Sequence, residues 1–306
     1  MRRHATLASV SKRPDFSIAT PEDTTRLLDD TAKLVQRAAR MGADLVAFPE
    51  VYPQLGCPGP LTEHAESEDG GTLDTIRELA REHQLYIVWP RYERTRTGQV
   101  YNSSVLVDRS GEVVGRYHKM FPTLGEMEAG VLPGDACPVF ETDFGRVALI
   151  VCFDLNFAEI RDELRPRRPD VVVFSSMYRG GLECQTWALD LGCHVLTAIS
   201  AELGRLVDPG GHLLRLATYE TLLCQRVNLN KRQLHMDNNW GKMDAMLEKY
   251  GPDLTFEFAT QEARFVVGWE RVDRDVDEIV REFGLEPIAD YFARSRRVRQ
   301  ETLSKV

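Results

Sequence analysis

Several features that would narrow the function are missing from this 306-residue chain. Its six cysteines, at 57, 137, 152, 184, 193 and 224, form no Cys-x-x-Cys pair and follow no regular spacing, which argues against a zinc site and any other metal centre. A chain of this length can bury a core without a disulfide framework, so the thiols are expected to be reduced and the protein cytoplasmic. No stretch approaches 18 consecutive apolar residues, so no membrane span is expected. The N-terminal "MRRHATLASVSKRPD" is basic but lacks the apolar run of a signal peptide. Positive charge is also scarce. Lys and Arg number 38 against 47 Asp and Glu, a net charge of −9, the wrong sign for a nucleic-acid partner. The one basic run, "ARSRRVRQ" at 293–300, reads as a solvated helix face. No low-complexity linker marks a domain boundary before about residue 230.

What is present is an alternation of helical and strand patterns. In "TPEDTTRLLDDTAKLVQRAARMG", Thr20 suits an N-cap, Pro21 the first helical position, and Glu22 and Asp23 the positive end of the helix dipole. Apolar residues then recur at helical spacing up to Gly42. "ADLVAFPE" follows as a buried strand, "TLDTIRELAREH" as a helix, and "QLYIVWP" as a strand. "QVYNSSVLVDRSGEVVGRYHKM" and "GRLVDPGGHLLRLA" read as hairpins. "FAEIRDELRPRRPD" and "GLECQTWALDLG" are helices, each leading into an apolar strand, "VVVFSS" and "CHVLTAIS". This pattern predicts a mixed sheet covered by helices, an α/β protein. After about 230 the chain changes character, with one helix, a strand pair and a helical tail over 273–300.

Three strand ends carry reactive side chains: Glu50 in "LVAFPEVY", Lys119 in "GRYHKMFPT" and Cys152 in "LIVCFD". Sites in α/β proteins gather where strands end. A single charge there is usually only solvated, but these three are chemically complementary. A thiol is mostly protonated at neutral pH and attacks as the thiolate. A carboxylate can accept its proton, and an ammonium can hold the oxyanion of a tetrahedral intermediate. The backbone N–H of Phe153 is a second oxyanion donor by position. Glu50, Lys119 and Cys152 together make a complete acyl-transfer set.

These segments resemble the nitrilase superfamily, the carbon–nitrogen hydrolases. "ADLVAFPE" resembles the strand of its catalytic glutamate, "VYNSSVLVDRSGEVVGRYHKMFPT" the approach to its lysine, and "GVLPGDACPVFETDFGRVALIVCFDLNFAEI" the segment of its cysteine. The order agrees, as do the intervals of about 70 and about 33 residues, and the likeness extends at least over residues 5 to 230. The resemblance implies a four-layer α-β-β-α sandwich, with a hydrolase domain over 1–270 and a C-terminal helical extension over 271–306 associated with a homodimer or larger assembly. It assigns Glu50 as general base, Lys119 as oxyanion-stabilising cation and Cys152 as nucleophile, with no metal or organic cofactor. A second family glutamate precedes a Pro-Gly. In "GEMEAGVLPG" both Glu126 and Glu128 are candidates, and spacing favours Glu128 as the residue that positions Lys119. Tyr52, Phe153, Met177, Tyr178 and Arg179, near strand ends or in the following loops, are expected to contact substrate, Arg179 through a carboxylate.

The chain also departs from the family pattern. It has Phe-Ala-Glu where members commonly read Phe-Pro-Glu, and Thr186-Trp187 where many show His-Trp. Cys152 is followed by Phe153-Asp154 and not by the Trp-Glu of nitrilases, which favours a small-molecule amide or N-carbamoyl substrate over a nitrile. A nitrilase, a non-catalytic binder on the same fold and a redox-sensing thiol protein are the competing readings. The other five cysteines read as small core residues. His118, adjacent to Lys119 on a strand, is expected to face away from it. Asp154 is expected to fix the turn after the cysteine.

Overall fold

A computed structural model describes residues 4–305. Two six-strand paths form the centre. The first sheet runs Leu222–Asn228, His4–Val10, Leu45–Ala47, Tyr86–Arg94, Val100–Val107, Val113–His118, with the short Glu66–Ser67 strand added beside Tyr86–Arg94. The second runs Leu213–Leu216, Arg205–Val207, His194–Ile199, Val171–Ser176, Arg146–Val151, Val139–Glu141. Both sheets are parallel in the middle and antiparallel at the edges.

The first sheet sorts its residues by parity, as a strand with two buried faces must. Ala5, Leu7, Leu45, Ala47, Val88 and Leu106 face the second sheet. Ala8, Val10, Val46, Ile87, Val105 and Val107 face the helices. Across the seam the Ser175 hydroxyl donates to the carbonyl of Phe48 at 2.9 Å. Helices Pro21–Arg40 and Thr72–His83 cover the outer face of the first sheet, and Ala158–Leu164 and Gly181–Leu191 that of the second. The fold is therefore the expected four-layer α-β-β-α sandwich.

Local chemistry sets these elements. Thr20 closes a reciprocal capping box with Asp23, so the aspartate both caps and complements the dipole. Leu27, Thr31, Val35 and Ala38 then bury one stripe of the helix, and each large aliphatic side chain so buried contributes about 1.5–3 kcal/mol. The Tyr86–Arg94 strand continues through Pro90, past the expected end. Its parallel neighbour ends opposite Val88, so Pro90 lies just past the end of the ladder on that side, a place where a proline is tolerated.

The C-terminal section packs on the same chain's core. Strands Lys231–His235, Arg264–Trp269 and Leu254–Ala259 form a third, antiparallel sheet. Helices Met243–Tyr250 and Val276–Glu282 share one apolar cluster with it, including Met246, Phe265, Trp269 and Ile279. Residue 270 thus falls inside a single packed unit. The tail is two helices, because the chain breaks at Gly284 (φ +56°) and Pro287 before Ile288–Leu303. Arg264 Nη1 donates to the Leu189 carbonyl at 2.7 Å, and Gln233 Nε2 to the carbonyls of Leu189 and Pro209 at 2.9 and 3.0 Å. These bonds dock the third sheet on the core.

Candidate active site

Glu50, Lys119 and Cys152 end three different strands, two in the first sheet and one in the second, and meet where the sheets face each other. Lys119 Nζ donates to Glu50 Oε1 at 2.9 Å, and both side chains are almost fully buried. The half-buried Cys152 thiol lies in hydrogen-bonding reach of Glu50 and Ser176. Glu50 Oε1 also accepts from Asn102 Nδ2 at 2.9 Å, and Oε2 from the Met177 N–H at 3.2 Å. The carboxylate is thereby fixed from three directions.

Two backbone positions in this cluster are strained. Cys152 has φ +49°, and Val51, directly after Glu50, has φ +43°. A positive φ is rare for any residue with a Cβ and an outlier for a β-branched one. Each costs about 1–3 kcal/mol, and such strain gathers at functional sites. At Cys152 the strand turns at once into a short 3-10 helix, Cys152–Asn156. Asp154 holds this turn, as expected, accepting from the Val151 N–H at 3.0 Å. It also accepts from the Tyr117 hydroxyl and the Phe121 N–H, each at 2.8 Å, so the cysteine turn is tied to the segment flanking Lys119. Burial, opposed by those three bonds, pushes the Asp154 carboxyl up to about 6.

Of the two candidate glutamates it is Glu126, and not the preferred Glu128, that contacts Lys119. Glu126 Oε2 accepts from Lys119 Nζ at 2.8 Å, and Oε1 from Asn102 Nδ2 at 2.7 Å and the Tyr92 hydroxyl at 2.9 Å. Both glutamates lie on helix Leu124–Glu128, but two residues turn a side chain about 200° around the axis, and Glu128 is exposed. The missed signal was local. Thr123-Leu124-Gly125-Glu126 is a capping box, in which the Glu126 carboxylate folds back onto the Thr123 N–H at 2.8 Å and so comes to rest on Lys119.

The electrostatics follow from this packing. Burial disfavours the charged Lys119, but Glu50 and Glu126 outweigh it and the ammonium is held above its ordinary range. Burial would raise Glu126, yet Lys119 and the hydrogen bonds from Thr123 and Asn102 hold it low. Burial and the Glu50 charge push the Cys152 thiol up to about 12 against the pull of Lys119. The resting Cys152 side chain is therefore a neutral thiol, with the Glu50 carboxyl group beside it.

The expected contact residues divide. Phe153, Met177 and Tyr178 are exposed around Cys152. The Tyr178 hydroxyl donates to the Cys152 carbonyl at 3.2 Å, and Phe153 packs edge-on against Phe157. Arg179 is exposed, with Nε donating to the Glu202 carbonyl at 3.1 Å. Tyr52 is not at the site. It is 1% exposed in the layer between the first sheet and its helices, packed against Phe48 and Trp89, because the turn at Val51 sends it to the opposite face from Glu50. His118 likewise faces outward, stacked on Tyr101 with Nε2 3.3 Å from Glu93. Sequence reasoning missed Asn102, Tyr92 and Ser176. A buried asparagine in mid-strand is poorly suited to that setting, and "VYNSSVLV" carried that signal. Of the other cysteines, Cys137, Cys184 and Cys193 are buried, and Cys57 and Cys224 half-buried.

Comparison with known proteins agrees with this architecture. The carbon-nitrogen hydrolase family model matches residues 6–234. Among curated relatives, omega-amidase NIT2 of Mus musculus is 25% identical over 230 residues, 67% of this chain and 83% of its own length. Deaminated glutathione amidase of Rattus norvegicus is 27% identical over 234 residues, covering 65% and 71%. Among solved structures, an amidase from Nesterenkonia sp. AN1 in complex with butyramide superposes with a TM-score of 0.65 at 20% identity, covering 81% of this chain and 97% of that one. Saccharomyces cerevisiae Nit3, a nitrilase-superfamily member, gives 0.63 at 17% identity, covering 82% and 95%. The fold is thus that of the nitrilase superfamily. The chain belongs to the carbon-nitrogen hydrolase family. No helix among the described residues is long and apolar enough to cross a membrane.

Proposed function

We propose that this protein hydrolyses a linear amide or N-carbamoyl bond in a small molecule through a thioester on Cys152. The observation that carries the reading is the buried Lys119–Glu50 pair at 2.9 Å beneath a thiol within reach of the same carboxylate. Glu50 takes the Cys152 proton as sulfur attacks the carbonyl carbon. Lys119 and the Phe153 N–H hold the oxyanion. Glu50 returns the proton to the nitrogen, the C–N bond breaks, and ammonia or an amine leaves the thioester. Water, deprotonated by Glu50, then attacks the thioester, the acid departs and the thiol is restored. Glu126 and Asn102 position Lys119 and Glu50, and Phe153, Met177, Tyr178 and Arg179 line the approach. Every step uses groups of this chain. The amidase names of the relatives support an amide substrate. The free cysteines suit a reducing, cytoplasmic setting, and exposed Val298 and Leu303 on the final helix suit a homo-oligomer contact.

The test is ammonia release from ω-amides of dicarboxylic acids, aliphatic amides, N-carbamoyl amino acids and nitriles, with Cys152→Ala beside wild type. The expected outcome is release from an amide or carbamoyl compound that falls by at least about 10⁴-fold in the variant. Equal release in both would overturn the mechanism, and release from nitriles alone would make the protein a nitrilase.

A further inference from the structure

At the other end of the second sheet, where the His194–Ile199 strand begins, a cavity of about 100 Å³ opens between the core and the third sheet. Arg165, Arg168, Arg264 and Arg296 line it, with Lys231 and Arg232. Arg165 pairs with Asp162, and Lys231 and Arg232 with Glu257 and Asp277. Arg168 and Arg296 are exposed and have no side-chain partner among the described residues. Asp170 and Asp190 also line the cavity, but Asp170 accepts from the Arg146 N–H and Asp190 pairs with Arg161. The cavity is thus a cationic recess in a chain of net charge −9.

Three buried polar atoms on its wall have no hydrogen-bond partner among the described residues: His194 Nε2, Gln233 Oε1 and Arg264 Nε. His194 is 1% exposed and Gln233 4%. Unsatisfied buried polar atoms are rare. Of the three, His194 Nε2 and Arg264 Nε can donate to an acceptor, whereas Gln233 Oε1 can only accept. Leu191, Ile288 and Phe292 supply an apolar side.

We propose that this cavity binds a small organic anion, its phosphate or carboxylate head held by the arginines and its apolar body against Leu191, Ile288 and Phe292. Guanidinium forks suit both heads. The site is separate from Cys152 and formed jointly by the core and the C-terminal unit, so a ligand there ties the two together.

Calorimetric titration of the full-length protein with phenyl phosphate, inorganic phosphate and phenol tests the site. Phenyl phosphate is expected to bind more tightly than either fragment, and more weakly as salt rises. Arg264→Gln is expected to weaken it about tenfold or more. Because Arg264 also holds the third sheet to Leu189, Arg168→Gln and Arg296→Gln serve as variants that break no internal bond, each expected to weaken binding several-fold with amide turnover unchanged. A head-group preference emerges by repeating the series with phenylacetate on Cys152→Ala protein. Absence of phenyl phosphate binding, or binding equal in wild type and all three variants, would overturn the proposal.

Discussion

Two buried charge clusters lie on opposite sides of the strands Tyr86–Arg94, Val100–Val107 and Val113–His118. The inner one sets Lys119 between Glu50 and Glu126. The outer one sets Arg91 between Glu66 and Glu93, with Arg116 and His118 against Glu93. Burial hardly separates them, for Arg91 and Glu93 are even less exposed than Lys119 and Glu50. What differs is how the charges are spent. Arg91 uses its fork on two carboxylates and on the carbonyls of Gly70 and Glu68, closing the loop before the Thr72–His83 helix. Every outer group serves the chain's own geometry. The inner cluster has two carboxylates for one ammonium, a strained backbone on either side and a thiol at its rim. The imbalance leaves a proton acceptor beside a proton donor, which is what acyl transfer needs and what a structural ion pair avoids.

The sharpest way to break this contrast is to remove the cation from each face. Lys119→Met is expected to lower amide turnover by about 10³-fold, as loss of an oxyanion-stabilising group does, measured as ammonia release per folded molecule. Arg91→Leu is expected to leave turnover within about twofold while lowering stability by about 3–5 kcal/mol, since Glu66 and Glu93 lose their buried partner; urea unfolding reads that loss. A turnover loss in Arg91→Leu comparable to that in Lys119→Met would erase the distinction.

A finer cut separates the two glutamates of one short helix. Glu126→Gln keeps the shape but weakens the hold on Lys119, and about a 10–100-fold fall in kcat is expected, whereas Glu128→Gln should stay within about twofold. The smallest effect is a shift in a pH profile. With the thiol near 12, haloacetamide labelling of Cys152 should climb about tenfold per pH unit from neutrality without levelling off near 9. Glu50 favours the neutral thiol, so removing its charge makes the thiolate easier to form. Glu50→Gln should therefore move the labelling profile to lower pH while abolishing turnover, a divergence visible by mass-resolved labelling.

The mixed α/β pattern and the grouping of Glu50, Lys119 and Cys152 at strand ends were legible because their signals are local, and the four-layer sandwich followed from the resemblance to a known family. His118 was correctly turned away by strand alternation alone. Tyr52 was misplaced because Val51 adopts a left-handed conformation that no valine advertises, and this reverses the side on which the next residue emerges. Glu128 was preferred on distance along the chain, while the capping chemistry that turns Glu126 onto Lys119 lay in a four-residue motif. Asn102 and Ser176 became visible only when the two sheets were laid face to face. The division at 270 followed a change of pattern, whereas the packing that joins Trp269 to Ile279 depends on contacts between elements.

The central claim is that Cys152 carries the acyl group. Its most direct test is the intact mass of wild-type protein, acid-quenched during turnover of the best amide, followed by peptide mapping. The account predicts a fraction of the protein heavier by the acyl group alone, labile to hydroxylamine and mapped to the peptide bearing Cys152. Turnover without any such adduct under rapid quench, or an adduct on another residue, would contradict it.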